Sequence, residues 1–191
     1  MNRKQYIILT LFILTCIVQW YVLAGWMSAS EQTRKNGVYI KIPCTQIDPV
    51  DPFRGTFLNI NPSPGQFQFK DSLAYKNGQD IWINYTCDDS NRCTFYSVQP
   101  ASEVPAESVY IRCKVESIYP TFLEKDSILG YSGRIIYPFT KYYVNEKEAA
   151  ALNEKYNQAV IDTSRRVYAG MYVYKGEVVL DGIWVGNESL K

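Results

Sequence analysis

The hydrophobic pattern divides the chain in two. Residues 6–27, YIILTLFILTCIVQWYVLAGWM, form one uninterrupted apolar run without a charge, in which only Thr10, Thr15 and Gln19 are distinctly polar. Beyond it the pattern switches to alternation, the signature of half-buried strands. The intervening residues 28–37 predict a polar helical extension closed by Gly37. Strands are then predicted over 38–47, where Pro43 implies an edge or a bulge, over 56–60, and over QFQFK after a turn cluster, NPSPG, at 61–65. DIWINYTC and CTFYSV predict a hairpin, VYIRCKVES and GRIIYPF two more strands, and RVYAGMYVY with EVVLDGIWV a closing hairpin about Lys175 and Gly176. Among these strands VNEKEAAALNEKYN reads as a helix, with Asn145 as cap, Glu148 completing a capping box, and Ala149, Leu152 and Tyr156 on one stripe. The fold class expected is mainly β (α+β): an N-terminal transmembrane helix, then an antiparallel sandwich or barrel-like domain with one amphipathic helix in its C-terminal half. The expected divisions are a tail at 1–5, the anchor at 6–27, the helical linker at 28–37 and a β-rich domain at 38–191.

As a helix the apolar run reaches about 33 Å, enough for a hydrocarbon core of about 30 Å. Trp20, Tyr21 and Trp26 gather near its end, where amphipathic rings favour the headgroup layer. A cleaved signal peptide is the alternative, with Ser28, Ala29 and Ser30 as small residues, but the run exceeds the usual apolar core of such peptides. Arg3 and Lys4 abut the span, so the amino terminus is expected in the cytoplasm and the domain outside.

Composition narrows the chemistry. The 191 residues contain no histidine, which excludes Ser-His-Asp and Cys-His catalysis and removes the commonest metal ligand. A net charge of +1 points away from nucleic acid. Sixteen tyrosines suit packing on pleated surfaces, or alternatively a tyrosine-lined cavity for a small ligand. Outside the span stand Cys44, Cys87, Cys93 and Cys113, an even set with three pairings. Cys87 and Cys93 flank DDSNR within the predicted hairpin, with Tyr85 and Phe95 continuing the same alternation, a geometry that permits a disulfide. Linking the distant Cys44 and Cys113 would stabilise more, about 4 against about 2 kcal/mol. A four-cysteine zinc site is disfavoured because five residues separate the only close pair; no metal and no cofactor is expected.

The densest chemistry lies in IDPVDPFRGTF at 47–57. Asp48-Pro49 and Asp51-Pro52 each encode a turn, Arg54 can fork onto Asp48, Asp51 or Glu146, and Gly55 permits close backbone approach. The residues describe a stiff elbow between strands that either supports the fold or presents Arg54 to an anionic group. Acid-base work by Asp48 and Asp51 is the weaker alternative, since two aspartates each followed by proline are better explained as backbone ligands.

DPVDPFRGTFLNI resembles the signature of the GDYXXLXY family. Gly55 stands at the family's glycine, Phe57 at its first tyrosine and Ile60 at its leucine, while Thr56 replaces its aspartate and Pro62 its last tyrosine. QWYVLAGWMSASEQTRKNG is similar to the family's anchor exit, YPFTKYYVNEKEAAALNEKY to its Pro-Phe-x-Arg/Lys-Tyr-Tyr-x-Glu segment through Lys141, Tyr142 and Glu146, and YAGMYVYKGEVVLDGIWVGNESL to its closing hairpin. The resemblance implies a single-pass protein of the bacterial inner membrane with a periplasmic domain, encoded beside multi-pass membrane proteins, and implies no particular activity. The partners expected are the bilayer, through residues 6–27, and an integral membrane protein, met by the elbow together with Lys141, Tyr142, Tyr143 and Glu146. A Ser-Lys hydrolase using Ser28 or Ser30 is the enzymatic alternative, without a lysine clearly placed as base.

Overall fold

The computed structural model describes residues 2–45, 57–71, 73–103, 105, 109–123, 127–143, 166–186 and 188–190. The elbow residues Asp48, Asp51, Arg54 and Gly55, and the helix expected around Glu146, lie outside the described residues. Among the described residues there is one helix, α1, Arg3–Asn36. It is long and apolar enough to cross a membrane, with a mean hydropathy of 2.3 over its most apolar window, none of which is buried. The helical extension expected over 28–37 continues α1 through Asn36, with Gly37 as its C-cap.

Twelve strands follow: β1 Val38–Thr45, β2 Phe57–Asn59, β3 Asn61–Pro62, β4 Gln66–Phe69, β5 Asp80–Cys87, β6 Cys93–Pro100, β7 Val109–Leu123, β8 Ser127–Ile136, β9 Lys141–Tyr143, β10 Val167–Tyr174, β11 Glu177–Val185 and β12 Glu188–Leu190. They form a five-stranded sheet in the order β12-β11-β10-β1-β3, a second in the order β4-β8-β7-β5-β6, and a ribbon of β2 with β9. Among the described residues all pairings between these strands are antiparallel.

Alternation decides what fills the space between the two large sheets. Ile40 and Ile42 of β1, Ala169, Met171 and Val173 of β10 and Ile183 of β11 join Ile81, Ile83 and Tyr85 of β5 and Ile111, Cys113 and Val115 of β7 in one buried cluster. β-branched side chains on facing pleats pack at interior density, so the sandwich is filled. Backbone bonds also tie one sheet to the other: Arg112 N–H donates to Gly176 O at 3.0 Å, and Lys41 N–H to Asn91 O at 2.7 Å. These links give the sandwich its barrel-like closure.

Local chemistry explains several bounds. Lys175 (φ 51°) and Gly176 (φ 83°) close the β10–β11 hairpin with the paired positive φ values of a two-residue turn. Pro43 lies inside β1, where its carbonyl accepts Ser63 N–H at 2.9 Å beside the end of the two-residue β3. NPSPG is more than a turn: Asn61 and Pro62 pair with Thr45 and Cys44 before the chain reverses. The strand expected at 109–117 runs on through Pro120 to Leu123, because β8 supplies a partner along that length. Gly170 sits at a bulge against β11, where an added Cβ would meet Tyr39 Oη and lie 2.6 Å from Trp184 Nε1. The bare position lets the Trp184 indole N–H donate to Tyr39 Oη at 2.7 Å while Lys41 Nζ stands 3.6 Å over the Trp184 ring.

Gly170→Ala is expected to cost about 1–3 kcal/mol by breaking this arrangement, whereas Gly65→Ala, whose Cβ would enter open space, should stay within about 0.5 kcal/mol. Chemical denaturation of the two variants checks the difference.

Candidate functional site

The ribbon joins two segments that sequence reasoning placed on one surface. Phe57 pairs with Tyr143, Leu58 with Tyr142 and Asn59 with Lys141. The strand that follows the elbow therefore runs beside the Lys-Tyr-Tyr segment. Tyr142 packs partly buried against the core, so it supports the ribbon, while Tyr143 is 71% exposed and Lys141 is exposed. Of the residues expected to form the elbow surface, the structure brings Lys141 and Tyr142 to this ribbon; Asp48, Asp51, Arg54, Gly55 and Glu146 fall outside the described residues.

Between β8 and β9 the chain passes through Tyr137, whose buried hydroxyl donates to Pro64 O at 2.9 Å and lies 2.9 Å from Tyr85 Oη. Tyr85 Oη is also 3.4 Å from Ser63 O. Burial pushes both phenols above their ordinary range, so they remain protonated and tie β5 and the end of β8 to the β3–β4 connection. Two open clefts flank this segment. One, of about 720 Å³, is lined by Asn61, Gln66, Glu116, Arg134 and Thr140. The other, of about 360 Å³, is lined by Asp80, Arg112, Lys114, Tyr137 and Glu177.

Asp80 organises the second cleft. Its carboxylate receives Arg112 Nη2 at 2.7 Å and faces Lys114 Nζ at 3.0 Å. Hydrogen bonds from Arg112 and Lys114 hold the Asp80 carboxyl below its ordinary value of 3.8. This cluster was missed in the sequence. The alternation of Tyr110, Arg112 and Lys114 was visible, but the register that sets Asp80 opposite Lys114 is fixed by no local turn.

Cys87 and Cys93 face each other in register across the β5–β6 hairpin and are joined by a disulfide, with their Cα atoms 4.0 Å apart. Asp88 tightens the loop by accepting backbone N–H from Ser90 at 2.9 Å and Arg92 at 2.8 Å. Tyr85 and Phe95 also pair, yet a bulge and the outer position of β6 leave Phe95 40% exposed while Tyr85 is buried. Cys44 and Cys113, the longer-range alternative link, are free thiols. Burial pushes the Cys44 thiol up to about 12 and the Cys113 thiol higher still, so neither is a nucleophile at neutral pH. Among the described residues no group of three or more Cys, Asp and Glu converges to hold a metal ion. Ser28 and Ser30 lie on the exposed surface of α1, and Lys35, on the same stretch, is bound by Glu31 at 2.6 Å.

The model of the GDYXXLXY protein family matches residues 19–183, from inside the apolar helix to the closing hairpin. The chain belongs to the GDYXXLXY family. No curated protein and no solved structure matches it. Within this GDYXXLXY chain the matched range includes both clefts, the ribbon and the disulfide hairpin.

The Asp80 cluster sets a pH dependence. A carboxyl held low in the fold adds stability that is complete above the unfolded value and disappears as pH falls through the depressed one. The partners are about half exposed, so the contribution is at most about 1 kcal/mol. Asp80→Asn is expected to lower stability by that amount at pH 7, with parent and variant converging as pH falls through the depressed Asp80 value; urea unfolding from neutral to acid pH measures it.

Proposed function

We propose that this GDYXXLXY chain is a single-pass anchored accessory subunit of the bacterial inner membrane, whose periplasmic β body docks without catalysis on an integral membrane partner. The observation that carries the reading is the β2–β9 register, which sets the strand leaving the elbow beside Lys141, Tyr142 and Tyr143 and so makes a single edge from two remote segments. Its mixture of an exposed tyrosine and a cation suits a protein contact. The Cys87–Cys93 disulfide favours an oxidising compartment for the body. A filled interior, buried unreactive thiols and phenols, and the absence of histidine favour docking over a ligand chamber or an enzyme.

Copurification from native membranes in mild detergent, at native abundance, tests the reading. A stoichiometric multi-pass partner is expected, and Tyr143→Ala should weaken its recovery about tenfold or more while leaving the unfolding midpoint within the small range of a surface change. Recovery of the parent chain alone would contradict the proposal.

A further inference from the structure

The way α1 meets the body decides what faces the bilayer. The apolar run ends at residue 27, so residues 28–36 carry the helix about 14 Å further. The headgroup layer occupies about 5–7 Å of that distance. The base of the body then stands within about 7–9 Å of the charged lipid surface, comparable with the Debye length of about 8 Å at physiological salt. Residues 28–32 are exposed on every side, so the helix leaves the body instead of lying along it. Its last turn meets β10 and β11, with Thr33 buried and Gly37 pressed against the Val173 carbonyl.

The elements around that junction carry an excess of positive charge. Arg34 and Lys35 occupy the last helical turn. Lys175, exposed at the tip of the β10–β11 hairpin, lies two residues beyond Val173, about 7 Å along the strand. Arg112 N–H bonds Gly176 O in the same hairpin, and Lys114 follows on β7. The carboxylates here are Glu31, Asp80 and Glu177, and Glu31 and Asp80 are engaged by Lys35 and by Arg112 with Lys114.

We infer that the base of the body, formed by Arg34, Lys35, Lys175 and the Arg112–Lys114 cluster, rests on anionic phospholipid headgroups. The inference relies on the anchoring reading proposed above. Charge complementarity selects the occupant: five cations against three carboxylates among the described residues at this end, in a chain whose total is only +1, at a distance where headgroup charge is incompletely screened. A zwitterionic surface has no net charge to match them. The contact would hold the body upright, so that the β2–β9 edge is offered to a membrane partner at a constant height.

The test uses the full chain, isotope-labelled, in nanodiscs that contain a trace of gadolinium-chelating lipid and are either purely phosphatidylcholine or one-third phosphatidylglycerol. Amides of residues 174–177 and of Arg112 should broaden more than those of Val167 and Val185, and the broadening should rise roughly twofold or more with the anionic lipid. High salt should reverse the rise, as should the combined Arg34→Gln, Lys35→Gln and Lys175→Gln variant. Equal broadening in the two lipids, or none at these amides in a chain that remains inserted, would overturn the inference and leave the anchor intact. A chain that alkaline carbonate washes from the discs would overturn both.

Discussion

One close approach governs the architecture: the backbone of Gly37 lies where no side chain fits. Its N–H bonds Thr33 O at 3.0 Å, a Cβ would collide with that same carbonyl, and Val173 O closes the other side at 3.0 Å. The glycine is extended, with φ −82° and ψ 156°, so its role is space and not a left-handed turn. The junction also buries Thr33, the one buried residue of the helix. An apolar segment that water rejects is thereby joined directly to β1, with Gly37 as the single residue between helix and strand.

From that junction the rest follows by burial and backbone pairing. β1 starts at the helix end and pairs with β10 along most of its length, while β3 flanks its other side at Cys44 and Thr45. The inner faces of the two sheets supply the apolar driving force, while the Gly176–Arg112 and Asn91–Lys41 links fix how the sheets lie on each other. The Tyr85–Tyr137 pair is buried with its hydroxyls satisfied by each other and by carbonyls at Ser63 and Pro64. The apolar groups of such a body fill its interior, and its polar groups line the clefts at its surface.

Much of this was readable from pattern alone. The charge-free run 6–27 forms the apolar part of α1, and the alternating segments became β1, β5, β6, β10 and β11 within a few residues. The closing hairpin was legible because Lys175-Gly176 fixes its register locally, and the Cys87–Cys93 geometry because five residues fix theirs. The continuation of β7 beyond residue 117 was not legible, since Pro120 and the mixed residues around it break alternation and only the pairing with β8 holds them extended. For the same reason Asp80 escaped notice: its ion pairs depend on a β5–β7 register between strands that β6 separates in sequence, which no local turn fixes. The β2–β9 ribbon joins segments far apart in sequence, so only the similarity of both to one family suggested that they act together.

The central claim is that the β body is mounted rigidly on α1, a helix long and apolar enough to cross a membrane. Distance measurement by double electron–electron resonance tests it most directly, with nitroxides at Ser30→Cys and Thr94→Cys in the full chain, Cys16 replaced by serine, reconstituted in nanodiscs. Both labelled positions are exposed, one on α1 and one on β6. The account predicts one narrow distance distribution, unchanged by the lipid around the helix. A broad or multiple distribution, from a body swivelling on its stalk, would contradict it.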